Sequence, residues 1–144
     1  MNINYSKAKD EMRSLKGNLD KVLQDAPAKS FEDGIAFRSL ENIIEQLDTA
    51  IWKIEHFSKT VVEGRLHEME NGKFELIDSN GESVRSFSCG NAIECFVEYE
   101  GDMQWFSGRV EHTTKNGIAG YYFYFPDADN PFLYEGMRSR IRKD

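Results

Sequence analysis

The chain has little cysteine, no long apolar run and none of the residue patterns that mark a catalytic centre. Its two cysteines, Cys89 and Cys95, stand six residues apart. A disulfide across a bend is geometrically open to them, but nothing points to an oxidising compartment, and free thiols are the expectation. A zinc site would need two further ligands, and His56, His67 and His112 are scattered rather than paired. No stretch approaches the ~20 apolar residues that span a bilayer. The start, Met1-Asn2-Ile3-Asn4-Tyr5-Ser6-Lys7, lacks the apolar core of a signal peptide. Both absences lead us to expect a cytoplasmic protein without a membrane partner. Gly-x-Ser-x-Gly, a phosphate-binding loop and His-Glu-x-x-His are missing, so no enzyme, metal or cofactor is expected.

Positive charge is in deficit, with a net charge of −7. Residues 1–60 hold nine basic and ten acidic groups, and residues 61–144 hold nine and fifteen, so the excess sits in the second part. Such a surface repels phosphate backbones at long range, which disfavours nucleic acid as a partner. Mimicry of DNA would need denser carboxylate runs than these. A length of 144 residues allows one compact unit or two small ones.

What is present is a change of period. Tyr5, Ala8, Met12, Leu15, Leu19 and Val22 recur at steps of three and four, as do Phe37, Leu40, Ile44, Leu47, Ile51 and Ile54. That spacing lines one face of each of two helices. The first is predicted over about Asn4–Asp25, stopped by Asp25-Ala26-Pro27. Gly17 inside it costs ~1 kcal/mol relative to Ala, which packing must offset. Ser30 with Asp33 makes a capping start for the second helix, and the short linker forces antiparallel neighbours. Ala36, Ile43, Ala50 and Phe57 add a column at steps of seven, more apolar surface than one partner covers. It packs either on the β part or on a second copy of the chain, and a homodimer or higher homo-oligomer is the favoured outcome.

From Val61 onward alternation and glycine-containing turns take over. Strands are predicted at about Val61–Met69, Lys73–Asp78, Ser83–Ser88, Ala92–Tyr99, Met103–Thr113 and Ile118–Phe125, with a last stretch from Phe132 to Arg142. Asn71-Gly72, Asn80-Gly81, Gly101-Asp102 and Asn116-Gly117 supply the turns. The expected fold class is therefore α+β: a helical hairpin over 1–60, then a small antiparallel sheet or barrel-like domain over 61–144.

Three stretches carry chemical interest. Arg138, Arg140 and Arg142 share one face of a strand while Met137 and Ile141 share the other. Three guanidiniums in an acidic chain either pair with cross-strand carboxylates, for which Glu94 and Glu98 are placed, or wait for an anion. Trp105 and Phe106 point to opposite faces, so one enters the core, and Arg109 shares the face of Trp105. A flat aromatic beside arginines suits the base and phosphate of a nucleotide-like ligand, although plain strand packing explains the pair as well. Tyr121-Tyr122-Phe123-Tyr124-Phe125 must cover both faces of its strand, and the acidic loop Pro126–Pro131 lacks the glycine and distal glutamate of a calcium loop.

Glu63-Gly64-Arg65-Leu66, Ser88-Cys89-Gly90-Asn91-Ala92-Ile93-Glu94, Trp105 with Arg109, Tyr121-Tyr122 and Gly136-Met137-Arg138 resemble a bacterial and phage family of small β domains without assigned function. With the helical hairpin in front, the whole chain resembles the Thoeris anti-defence sponges of phages and prophages. That resemblance implies a homo-oligomer, assembled through its helices in the host cytoplasm, that holds cyclic ADP-ribose isomers where subunits meet and silences an immune signal without cleaving it. It implies Trp105 or Phe106 for stacking, Arg109, Arg138 and Arg140 for phosphates, Asn116 for ribose and Arg85 as a further ligand-binding candidate. The alternative is an acidic protein-interaction module, or inhibitor of a host protein, with no small-molecule ligand.

Overall fold

The computed structural model describes residues 1–114, 117–126 and 130–144. By its internal contacts the chain divides into two compact units, Met1–Lys59 and Thr60–Asp144. The fold class is α+β, as the sequence leads one to expect.

The first unit is a hairpin of α1 (Ile3–Asp25) and α2 (Phe31–Ser58). The Ser30 hydroxyl accepts from the Asp33 amide at 3.0 Å, so the cap read from sequence starts α2; α1 is capped by Asn2, which accepts from the Asn4 amide. Arg13 pairs with Glu55 and Lys16 with Asp48 along one flank of the hairpin. At the loop end of the hairpin, Val22 and Leu23 of α1 lie beside Ala36, Phe37 and Leu40 of α2. Ile51 is the buried residue of the two helices, while Leu15, Val22, Ile35 and Ile43 remain exposed. Trp52 stacks on His56 one turn away, their rings 4.9 Å apart and nearly parallel. No described helix is long and apolar enough to cross a membrane.

The second unit is one curled antiparallel sheet of β1 (Val61–Glu68), β2 (Phe74–Asp78), β3 (Ser83–Ser86), β4 (Ala92–Tyr99), β5 (Asp102–Thr113), β6 (Gly120–Tyr124) and β7 (Arg138–Arg142). The order across it is β3-β2-β1-β7-β4-β5-β6. The last strand is thus central, with β1 on one side and β4 on the other. Core residues follow the period of two: Leu66, Leu76, Cys95, Val97, Val110, Phe123, Met137 and Ile141 turn to one face and are buried.

Two glycines permit the curl. Gly64 faces the core, and a Cβ there would collide with the Ile77 carbonyl oxygen; one on Gly108 would collide with the Tyr124 carbonyl oxygen. Only glycine lets the neighbouring backbone approach so closely.

The turns depart from expectation at one point. The β4–β5 connection is Glu100-Gly101, with φ of 51° and 88°, rather than Gly101-Asp102. Two consecutive positive φ values are what a two-residue loop needs to match the strand twist, and here a glutamate accepts the first. The stretch from Phe132 to Arg142 becomes strand only at Arg138. Before it, the Phe123 amide donates to Pro131 and the Leu133 amide to Tyr121, which engages the outer edge of β6. The expected turn at Asn116 and the centre of the acidic loop lie outside the described residues.

Candidate binding face

The sheet's other face collects the side chains that sequence reading singled out. Register places Glu94 opposite both Arg140 of β7 and Ser107 of β5, and Phe96 opposite Trp105. It also sets Glu63 opposite Arg140, Arg65 opposite Arg138, and Arg109 opposite Tyr124. Alternation does the rest: every second residue of five adjacent strands meets its neighbours on this surface.

Glu94 anchors the face. Its carboxylate is buried and accepts from Arg140 at 2.8 and 3.0 Å and from Arg142 at 2.7 and 3.1 Å. Burial alone would push this carboxyl up. Hydrogen bonds from Arg142 and Arg140, with their charges, outweigh that and hold it below the ordinary carboxylate value. Arg140 then lies over the Trp105 ring, 4.1 Å from its centroid. Arg138 stands 5.2 Å from the same ring and 4.6 Å from that of Phe96, while its Nε donates to Glu63 at 2.5 Å. Further along β5, Arg109 packs over Tyr124 at 4.4 Å and donates from Nε to Glu111 at 2.7 Å. Guanidiniums and rings are stacked in a ladder, with counter-charges supplied by the same sheet.

The structure therefore brings Trp105, Arg109, Arg138 and Arg140 onto one surface. It sends Phe106 to the other, where its ring packs 4.8 Å from Phe125 and 5.4 Å from Tyr99. Of the two adjacent aromatics, Trp105 is the one on the arginine face. Arg85 lies on the edge strand β3, its guanidinium 5.9 Å from Phe87, three strands away from β7. Asn116 lies outside the described residues.

Between the two readings of the arginine stripe, internal pairing is what the geometry contains. Glu94 takes two guanidiniums; Glu98, on the same strand face, is exposed. Glu63, Phe96 and Tyr124 were not anticipated. Their alternation with β1, β4 and β6 neighbours was visible, but the β1–β7 pairing that sets Glu63 near Arg138 joins residues seventy-five positions apart.

Two other groups near β7 complete the electrostatics. His67 Nδ1 lies 3.0 Å from Glu135, which also accepts the Glu68 amide at 2.6 Å. The hydrogen bond to Glu135 raises the His67 pKa; the Glu68 amide and then His67 lower that of Glu135. On the core side, burial pushes the Cys95 thiol up to about 12, with Ser139 Oγ at 3.4 Å from its sulfur. A thiol so held stays protonated and unreactive at neutral pH, whereas Cys89 is exposed; both are free. Among the described residues, no three His, Cys, Asp or Glu side chains converge as a metal-binding group.

A cavity of about 360 Å³, lined by Glu63, Gly64, Arg65, Ile77, Asp78 and Ser79, opens at the β1–β2 side of the face. Trp105 and the β7 arginines are not part of its wall.

The second unit is thus a small β domain, a curled seven-stranded sheet with an ion-paired arginine–aromatic outer face. Residues 64–141 match the family described as domain of unknown function DUF5348, and the chain belongs to that family. No match to the chain is found among curated proteins or solved structures.

Proposed function

We propose that this protein is a non-enzymatic binding protein whose β unit occupies a partner protein through the arginine–aromatic face of its sheet, inhibiting that partner. The observation that carries this reading is the Arg140 guanidinium lying over Trp105 while the buried Glu94 holds its charge. A surface whose guanidiniums and rings are already held in place loses little entropy on docking. Arginine, tryptophan and tyrosine are also the residue types that dominate the energetics of protein interfaces. Chemical crosslinking to co-purified host proteins tests this. A partner recovered by the wild type and lost by Trp105→Ala supports it; equal recovery by the two sinks it.

A second reading follows the resemblance to the anti-defence sponges: a phage-encoded homo-oligomer that sequesters a cyclic ADP-ribose-derived signal in the host cytoplasm without cleaving it. Two features favour it. Among the described residues Arg138 and Arg109 hydrogen-bond to acids through Nε, leaving their terminal nitrogens for an anion. The face of a single chain is open, and a nucleotide needs most of its surface enclosed, which a second copy would supply. That copy would meet the hairpin flank of Leu15, Val22 and Ile43, where apolar positions recur every seven residues on α2. Calorimetry with cyclic ADP-ribose decides: heat at micromolar concentration that vanishes in Arg138→Ala supports the reading, and no heat ends it.

A further inference from the structure

We propose that the arginine–aromatic face is shaped for an extended acidic segment of a partner protein, with carboxylates four residues apart meeting Arg138 beside Trp105 and Arg109 further along the strands. The inference rests on the protein-partner reading above and specifies the chemistry of that partner.

Arg138 and Arg109 differ from the other two arginines of the ladder. Arg140 and Arg142 are largely covered and gathered on Glu94, whereas Arg138 is 39% and Arg109 52% exposed. Each of the exposed pair spends its Nε on a neighbouring acid, Glu63 or Glu111, and holds its guanidinium carbon within 4.4–4.6 Å of a ring centroid. Among the described residues no hydrogen bond uses their Nη groups, so each keeps a fork of N–H donors for a further acceptor. That fork is the geometry that reads a carboxylate with two parallel hydrogen bonds. An incoming acid need not displace Glu63 or Glu111 to reach it.

Spacing then selects the occupant. Arg138 reaches into the row of Phe96 and Trp105, and Arg109 lies in the row of Ala92, four residues away along β4 and β5. At ~3.3 Å per residue the two rows are about 13 Å apart. Two phosphates joined through one oxygen are far too close together to meet both. Acids one turn apart on a helix also fall short, at roughly 5–6 Å between their Cβ atoms. An extended segment has the same rise as the strands beneath it, and its positions i and i+4 share a face. The row between them is formed by Arg140, Glu94 and Ser107, of which Ser107 is exposed and small while Arg140 lies over Trp105. The intervening residue of the segment lies over that row.

The test uses the full chain carrying Trp52→Phe, which leaves Trp105 as the single tryptophan reporter. Two synthetic peptides of identical composition are titrated, one with glutamates at i and i+4, the other with adjacent glutamates. The expected result is at least tenfold tighter binding of the spaced peptide, reduced to the level of the adjacent one by Arg109→Gln or Arg138→Gln. Both substitutions are at exposed positions, and far-ultraviolet circular dichroism confirms that the variants are folded. Equal affinity for the two peptides, no binding of either, or binding indifferent to both substitutions overturns the inference. Crosslinking of a host protein that still depends on Trp105 under those outcomes leaves the broader reading standing, so the two failures are separable.

Discussion

Glu94 is the residue on which the outer face depends. Removing one partner from a buried, hydrogen-bonded charge group leaves the others uncompensated, which costs about 3–5 kcal/mol. Glu94→Gln is therefore expected to lower stability by about 3 kcal/mol in chemical denaturation, with Arg140 and Arg142 left adjacent and repelling. The wild type should also lose stability in acid. The folded-state pKa of Glu94 is depressed, so its contribution is complete above the ordinary carboxylate range and disappears as pH falls through the lower folded value. Denaturation midpoints measured from pH 7 downward should fall less steeply in Glu94→Gln than in wild type; parallel curves would contradict the assignment. His67 works in the opposite sense. Its raised pKa stabilises below its ordinary value and the contribution is lost as pH rises through the folded one. At this scale the sequence was informative: alternation alone put Arg138, Arg140 and Arg142 on one face and Met137 and Ile141 on the other. It did not say which carboxylates answer them. Glu94 and Glu98 were equivalent by spacing, and only β7 lying beside β4 selects Glu94.

Among the elements, the strands owe their curvature to glycine and their order to the last strand. Gly64→Ala and Gly108→Ala each place a methyl against a neighbouring backbone carbonyl that cannot retreat without breaking the ladder. Each is expected to cost at least ~2 kcal/mol, as overpacking does in a filled core. Gly17 provides the contrast. It lies inside α1 with nothing within 4 Å of a Cβ added to it, so Gly17→Ala should stabilise the hairpin by up to ~1 kcal/mol. Thermal melts of the three variants check both signs. The capped helices were readable from Ser30, Asp33 and Pro27 because caps and stops are local. The sequence puts the turn at Gly101-Asp102, one residue late, because a glutamate at positive φ gives no compositional signal. The stretch before β7 read as strand because its apolar residues suit an edge-covering segment equally well.

For the molecule as a whole, connectivity makes the C-terminus structural. β7 closes the sheet between β1 and β4, and its Met137 and Ile141 flanks are core. Ending the chain after Gly136 should leave the β unit unfolded, seen as loss of dispersion in amide spectra of that unit. The helical unit makes a different demand. Two helices whose buried inventory is Ile51 keep Leu15, Val22 and Ile43 exposed, and hydrophobic surface of this kind calls for a cover. If that cover is a second copy, Leu15→Glu with Ile43→Glu will convert a dimer to a monomer in sedimentation equilibrium, without loss of the β unit's spectrum. A wild type that sediments as a monomer at all concentrations would refute the proposal.

The sequence by itself determined the two periods, the switch near Val61, the cap of the second helix and the division of each strand into an inner and an outer set. These are short-range properties: propensity, capping and alternation act within a few residues. The tertiary structure alone decided that the final strand sits centrally, that Glu63 and Glu94 answer the arginines, and that Trp105 rather than Phe106 shares their face. Those outcomes depend on register between strands far apart in the chain, and a slip of one residue would exchange the two faces.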